Sequence, residues 1–305
     1  MTTARDITDA TIAEIWREHH GHLLDVAYRM LGSVSDAEDV VQEAFTRLLR
    51  ANLDDIDDVG GWLVVVVSRL CLDQLRSARV RREAYVGPWL PEPVIPAGDA
   101  LGPEERVTLD DTVRTALLLV LERLSPAERV AFILHDVFQY SFDDIARVMK
   151  KTPVAARQLA SRARRHVQTE GGNLRADVDP AEARRVTDKF IAAAMTGNLH
   201  ALLAVLDPEA AGWTDSGGFV PAPRDAVVGR EKVAKRFLQF LEAFGVTLVP
   251  MPVNAGPGAL ALQNGDVIAA LTIVISDGLI TAIQACANPE KLTYVKTVLA
   301  ADPVW

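Results

Sequence analysis

The sequence predicts a multidomain chain, with two all-α helical domains followed by an α+β domain. Three observations lead there. Apolar residues recur at helical spacing between residues 10 and 168, a proline-rich stretch interrupts them near residue 90, and past residue 245 the apolar period shortens to two with hairpin turn pairs between the runs. A chain of 305 residues has room for two or three separate cores. The boundaries predicted are 10–85 for the first helical domain, 86–103 for a linker, 104–168 for the second helical domain and 175–305 for the α+β domain.

In the first domain Ile12, Ile15 and Trp16 begin one helix, and Leu23, Leu24, Ala27 and Met30 line another. Ser35 with Glu38 reads as a capping box opening a helix that runs to Arg50. Gly60 and Gly61 break the chain after an acidic loop, and a long helix follows from Trp62 to about Arg82. Its first half, to Val67, is apolar on every side, which predicts burial; its second half carries Arg69, Arg76, Arg79, Arg81 and Arg82 against Asp73 alone. Five prolines between Gly87 and Pro103 predict an extended, semi-rigid strap rather than a packed element, although Trp89 and Leu90 are apolar enough to dock on a surface.

The second domain begins near Glu104 and holds a third cap, Ser125-Pro126-Ala127-Glu128. Residues 141–167 then read as a helix-turn-helix. Ser141 with Asp144 caps a short helix with Ile145, Val148 and Met149 inward, Lys150 and Lys151 make the turn, and Thr152 caps a second helix opened by Pro153. That second helix turns Ala156, Leu159, Ala163 and Val167 inward and Arg157, Gln158, Ser161, Arg162 and Arg165 outward. Seven basic residues and no acid lie between Arg147 and Arg165. Arg and Gln make bidentate contacts to base edges and the flanking cations suit phosphates, so this face predicts duplex DNA binding.

Past Gly171-Gly172 the sequence predicts helices at 181–195, 199–206 and 230–244, then strands at 246–249, 259–263, 267–275 and 279–285, with turns at Asn264-Gly265 and Asp277-Gly278. Helices followed by a curled antiparallel sheet make the α+β domain.

Formal net charge is −9, so the positive charge needed on DNA is confined to two patches, 69–82 and 147–165. The acidic remainder weakens binding to free DNA, which predicts a partner that supplies affinity. Cys71 and Cys286 lie far apart in apolar segments, which argues for a reducing compartment and against a disulfide. His19, His20 and His22 have no further ligands at metal spacing, and the sequence predicts neither a metal nor a cofactor. The polar segment Met1 to Ala10 and the absence of long apolar runs predict a cytoplasmic protein with no membrane partner.

Three long segments resemble the extracytoplasmic-function RNA polymerase sigma factors. AYRMLGSVSDAEDVVQEAF (Ala27 to Phe45) is similar to their core-binding region, WLVVVVSRLCLDQLRSARVRRE (Trp62 to Glu83) to the helix that meets the minus-ten element, and the segment from Leu124 to Arg165 to the domain that reads the minus-thirty-five element. The rest of the chain resembles a subgroup with a C-terminal SnoaL-like domain, an α+β cone, through WLPEP (Trp89 to Pro93), DSGGFV (Asp215 to Val220) and NPEKL (Asn288 to Leu292). The second motif departs from the subgroup's DGGGK: Ser216 stands for a glycine and Phe219 for a lysine.

The resemblance implies that the first domain grips a coiled coil of the polymerase's largest subunits through Asp39, Gln42, Glu43 and Arg47. It implies that Arg69, Gln74, Arg76, Arg79, Arg81 and Arg82 meet promoter DNA near the melting point, where a loop at about 51–58 holds an extruded base. Arg157, Gln158, Ser161 and Arg162 would read bases, with Lys150, Lys151 and Arg165 on phosphates. Trp89, Leu90, Asp215, Gly217, Gly218, Asn288, Pro289 and Lys291 would join strap to cone and regulate activity. A small ligand in the cone would be a further partner. Two rival classes stand beside this one. A ligand-sensing DNA-binding regulator that needs no polymerase would leave residues 19–85 unexplained. An enzyme in the cone would need Asp215, Asp225, His200 and Tyr294 to converge, and no spacing forces them together.

Overall fold

In the computed structural model the described residues are 9–82, 85–96, 121, 124–170 and 179–301, and they fall into two compact units. One comprises residues 9–82, 121 and 124–170; the other comprises 85–96 and 179–301. The expected helical segment 104–120 and the glycine pair at 171–172 lie outside the described residues.

The N-terminal unit is helical. Helix α1 (Asp9–Leu31) is continuous, not the two helices expected from the sequence; Gly21 sits in mid-helix without breaking it. Helix α2 (Val34–Leu49) is capped by Ser33, whose hydroxyl accepts from Asp36 N at 3.1 Å; the cap expected at Ser35 lies two residues inside the boundary. Val40, Val41, Ala44, Phe45 and Leu48 of α2 are buried, each burial contributing about 1.5–3 kcal/mol for the larger side chains. Trp16 of α1 packs on Phe45, ring centroids 4.6 Å apart.

Helix α3 (Val59–Arg82) starts earlier than expected, because Gly60 and Gly61 open it rather than break the chain. The Asp58 carboxylate accepts from Gly61 N at 3.0 Å, and a Cβ on Gly61 would lie 2.3 Å from that carboxylate. Small residues are needed there to admit the cap. The apolar half of α3 is only partly interior: Leu63, Val64 and Val67 are buried, while Trp62, Val65 and Val66 are half-buried.

Helix α4 (Pro126–Phe132) has the full capping box of Ser125 and Glu128 and runs into a wider π turn over Ile133–Val137. Helix α5 (Phe142–Met149) ends at Lys150 in the left-handed region, φ 51°, and helix α6 (Pro153–Glu170) follows with Thr152 Oγ1 accepting from Ala155 N at 3.2 Å.

The second unit is α+β. Helices α7 (Pro180–Met195) and α8 (Leu199–Val205) lead into strand β1 (Leu206–Asp215), then β2 (Val227–Val228), helix α9 (Arg230–Phe244), strands β3 (Thr247–Pro250), β4 (Gly258–Gln263), β5 (Asp266–Ser276) and β6 (Leu279–Cys286), and helix α10 (Thr293–Ala301). The six strands lie in the order β2-β1-β6-β5-β4-β3. The sheet is mixed, not purely antiparallel, because β1, absent from the sequence expectation, runs parallel to β6 with Gly212 opposite Ile283. Asn264-Gly265 and Asp277-Gly278 make their turns with positive φ at all four residues. The core lies between one sheet face and the helices, with Phe190, Leu202, Val233, Leu271 and Ile283 in it.

Candidate nucleic-acid interface and strap site

Helix α6 sorts its residues cleanly. Ala156, Ala160, Ala163 and Val167 are buried, and Arg157, Gln158, Ser161, Arg162 and Arg165 all face solvent. The Arg157 guanidinium lies over the Phe142 ring, 5.1 Å from its centroid, so this cation is held in place by the first turn of α5. Lys150 and Lys151 are exposed in the turn. Arg164 is turned away to the Asp136 carboxylate at 2.6 Å. The Ser141 hydroxyl meets the Asp144 carboxylate at 2.5 Å and, ahead of the neighbouring Arg147 cation, holds that carboxyl below its usual range.

On α3, Arg76 is exposed and pairs loosely with Asp73 at 3.2 Å, and Gln74 is half-exposed. Arg79, Arg81 and Arg82 lie on the last turns of the helix; their side chains are outside the described residues. Arg69 departs from the expectation. Its Nε and Nη2 donate to the carbonyls of Val148 and Arg147 at 3.2 and 2.7 Å, so it caps the C-terminus of α5 instead of offering its guanidinium to DNA. The physical reason is that the last carbonyls of a short helix lack partners within it, and a guanidinium from α3 reaches them.

Asp39, Gln42, Glu43 and Arg47 share the exposed face of α2, with a Glu43–Arg47 pair at 2.8 Å. The loop at 51–58 holds a single 3-10 turn, Leu53–Asp55, capped by Asn52.

The second unit contains a buried polar cluster around the strap. Asp215 is wholly buried, and its carboxylate accepts from Tyr85 OH at 2.5 Å, Leu90 N at 2.8 Å, Lys291 Nζ at 2.7 Å and Gly217 N at 3.2 Å. Lys291 Nζ also donates to the Leu90 carbonyl at 2.6 Å and lies 3.4 Å from the centroid of the Trp89 ring. Asn288 donates to Tyr85 OH at 2.9 Å and turns back to accept from Glu290 N. Burial first, then the bond to the Asp215 carboxylate, raises the Tyr85 phenol far above its ordinary value. Cys286, next to this cluster, has its thiol pushed up to about 12 by burial.

The strap has no regular secondary structure, as its prolines dictate, yet it is packed: Leu90, Val94 and Ile95 are buried. Gly217, with φ +59°, leaves no room for a side chain, since a Cβ would lie 2.6 Å from Asn288 Nδ2. Gly218 has φ +84°. Ser216 keeps an ordinary negative φ and its hydroxyl donates to the Val220 carbonyl at 2.8 Å, so the serine in that motif costs no backbone strain. Phe219 is exposed.

Sequence reasoning missed two members of the cluster. Tyr85 lies four residues before the start of the WLPEP motif and carries no signal of its own. Asn254 exchanges two hydrogen bonds with the backbone of Val94, both 2.7 Å, from a left-handed turn; the Asn-Ala-Gly-Pro run was the available signal. Of Asp215, Asp225, His200 and Tyr294, Asp215 lies at the centre of the cluster, bonded to Tyr85, Leu90, Lys291 and Gly217. Among the described residues no group of three metal-ligating side chains converges and no helix is long and apolar enough to cross a membrane.

The family described as Sigma-70 region 2 matches residues 15–81, and the one described as Sigma-70, region 4 matches residues 114–167. The chain is 42% identical over 294 residues to a probable ECF RNA polymerase sigma factor, SigI, of Mycobacterium tuberculosis, covering 94% of this chain and 97% of that one. It is 40% identical over 291 residues to the ECF RNA polymerase sigma factor SigJ of the same species, covering 89% and 90%. The crystal structure of Mycobacterium tuberculosis SigJ superposes with a TM-score of 0.75 at 36% identity, over 92% of this chain and 98% of that chain.

Proposed function

The chain belongs to the extracytoplasmic-function RNA polymerase sigma factors, and from that premise we propose how its surfaces serve promoter-specific transcription initiation. It binds core RNA polymerase and promoter DNA. The exposed face of α2, with Asp39, Gln42, Glu43 and Arg47, meets the polymerase. Gln74, Arg76, Arg79, Arg81 and Arg82 of α3 meet the minus-ten side of the promoter; Arg69, committed to the end of α5, is left out of that set. On the minus-thirty-five side Arg157, Gln158, Ser161 and Arg162 read bases, and Lys150, Lys151 and Arg165 hold phosphates. The observation that carries this reading is the two-faced α6, apolar within and cationic without.

Because an acidic chain has weak affinity for free DNA, the polymerase supplies the rest of the binding and promoter recognition occurs on the holoenzyme. The domains proposed are those expected from sequence, except that the strap counts with the C-terminal unit. That unit acts as a regulator through the strap cluster of Trp89, Leu90, Asp215, Gly217, Gly218, Asn288, Pro289 and Lys291. It has no catalytic role, and a small ligand is its input. The protein works in the cytoplasm. A DNA-binding regulator independent of polymerase is not favoured, since it gives no purpose to the region 2 match at 15–81.

In vitro transcription with core polymerase and the full chain on a promoter library tests the reading. Initiation from a defined subset of promoters that depends on added protein is the expected result, and no association with core polymerase would overturn it.

A further inference from the structure

The C-terminal unit holds a half-open cavity of about 230 Å³ between α9 and the sheet. One wall is the face of α9 that carries Val233, Phe237, Phe240 and Phe244, residues three and four apart. The sheet side is lined by Leu271 and Ile283 together with small residues on three adjacent strands, Gly212 of β1, Ala269 of β5 and Ala285 of β6. Gly212 is there for neither its backbone nor clearance. Its φ is not positive, and a Cβ would lie at an ordinary 3.7 Å from the Val233 methyls. A glycine inside a strand lowers stability, so its smallness at this point serves to leave the space open.

The chemistry of the lining selects the occupant. The interior is aromatic and aliphatic, and apolar hollows of this kind take apolar guests. Among the described residues, Arg236, exposed at the rim, is the one ionisable side chain lining the cavity; Thr214 and Gln239 add neutral hydrogen-bonding groups. No carboxylate stands among the described lining residues to repel an anion. A single water needs only about 10–15 Å³ of such space, so the cavity has room for a guest of several carbons.

The geometry points to a binding site for a small monocarboxylate with an apolar body of several carbons, its carboxylate meeting Arg236. Gly212 and Thr214 border the cavity from β1, and the next residue of that strand is Asp215, which holds the strap. An occupant thus presses on the strand that anchors the strap. The inference rests on the regulatory reading of this unit for its purpose only, since binding is measured without polymerase or DNA.

Isothermal titration of the full chain with sodium octanoate tests it, with 1-octanol and octylamine as controls of the same length. Octanoate is expected to bind, and octylamine at least tenfold more weakly. R236Q, on the exposed rim, weakens octanoate about twofold to fivefold and leaves octanol unchanged. G212V, which fills space on the sheet side, abolishes binding of both while the circular dichroism of the chain is retained. No binding of octanoate to the wild-type chain overturns the site, as does equal binding to R236Q and G212V. Octylamine or octanol binding as tightly as octanoate overturns the anionic class. In each case polymerase binding and transcription remain separate readouts, so the sigma-factor assignment survives a failure here.

Discussion

Lys291 and Asp215, separated by 76 residues, form a buried ion pair at 2.7 Å with the strap backbone at Leu90 bonded to both. Removing two charges from water is costly, and such a pair holds only where the remaining donors and acceptors are met. Here Tyr85, Leu90 and Gly217 meet them, and the Trp89 ring covers the ammonium. The pair therefore stabilises the fold only while the strap is in place, which ties residues 85–96 to the C-terminal unit.

Lys291→Met leaves the Asp215 carboxylate buried without its cation and should cost the C-terminal unit about 3–5 kcal/mol. Urea unfolding measures the loss, and limited proteolysis within residues 85–96 should become faster. An unchanged cleavage rate would show that the strap is held by its apolar side chains alone.

Arg69→Ala should lower stability of the N-terminal unit by about 1 kcal/mol, since two helix-end carbonyls lose a charged donor but remain reachable by water. Promoter binding by the holoenzyme should keep its salt dependence. Arg76→Ala should do the reverse, leaving stability in place and reducing the salt slope by about one. Filter binding at several salt concentrations separates the two.

Arg157→Ala should cost about 1–3 kcal/mol on the cognate promoter and relax preference at one base position. Lys151→Ala should weaken all sequences evenly. A selection on randomised minus-thirty-five elements distinguishes them, and identical profiles would refute the division between base-reading and phosphate-holding residues.

Glu43→Lys should reduce core polymerase affinity at least tenfold with little change in melting temperature. The Glu43–Arg47 pair is half-exposed on both sides, and pairs of this kind contribute only about 0.3–0.5 kcal/mol to a helix. Fluorescence anisotropy with purified core enzyme gives the affinity.

Ser141→Ala should raise the pKa of Asp144, because the lost hydroxyl bond is the largest influence keeping it below 3.8. A carboxyl depressed in the folded state adds stability that is complete above its unfolded value and is lost as pH falls through the folded one. The wild-type helix-turn-helix therefore loses this contribution below about pH 3.8, and the variant has less of it to lose. A carboxyl-detected NMR titration reads the shift.

Much of this was legible beforehand wherever local chemistry is enough. The cap at Ser125, the turn at Lys150, the outward set on α6 and the bounds of α9 all follow from side-chain periodicity and capping, which act within one or two turns of chain. The strap residues Trp89 and Leu90 announced a docking surface by being too apolar for a linker, and the motifs at 215 and 288 named its other side. By contrast, the sequence points to Ser35 as the cap of α2, whereas in the fold Ser33 takes that place, its hydroxyl accepting from Asp36 N.

What the sequence determined by itself was the order of helical and α+β parts, the exposed cationic face of α6 and the family, because these reside in contiguous patterns. Tertiary structure alone decided the rest. Leu206–Asp215 contains Pro208 and Gly212, poor strand residues, and became β1 because β6 offers it a parallel partner. Arg69 became a helix cap because α5 packs beside it. Asp215 found its cation 76 residues away. Each of these depends on groups brought together from distant points of the chain, and the energy that selects them exists only after folding has closed those distances.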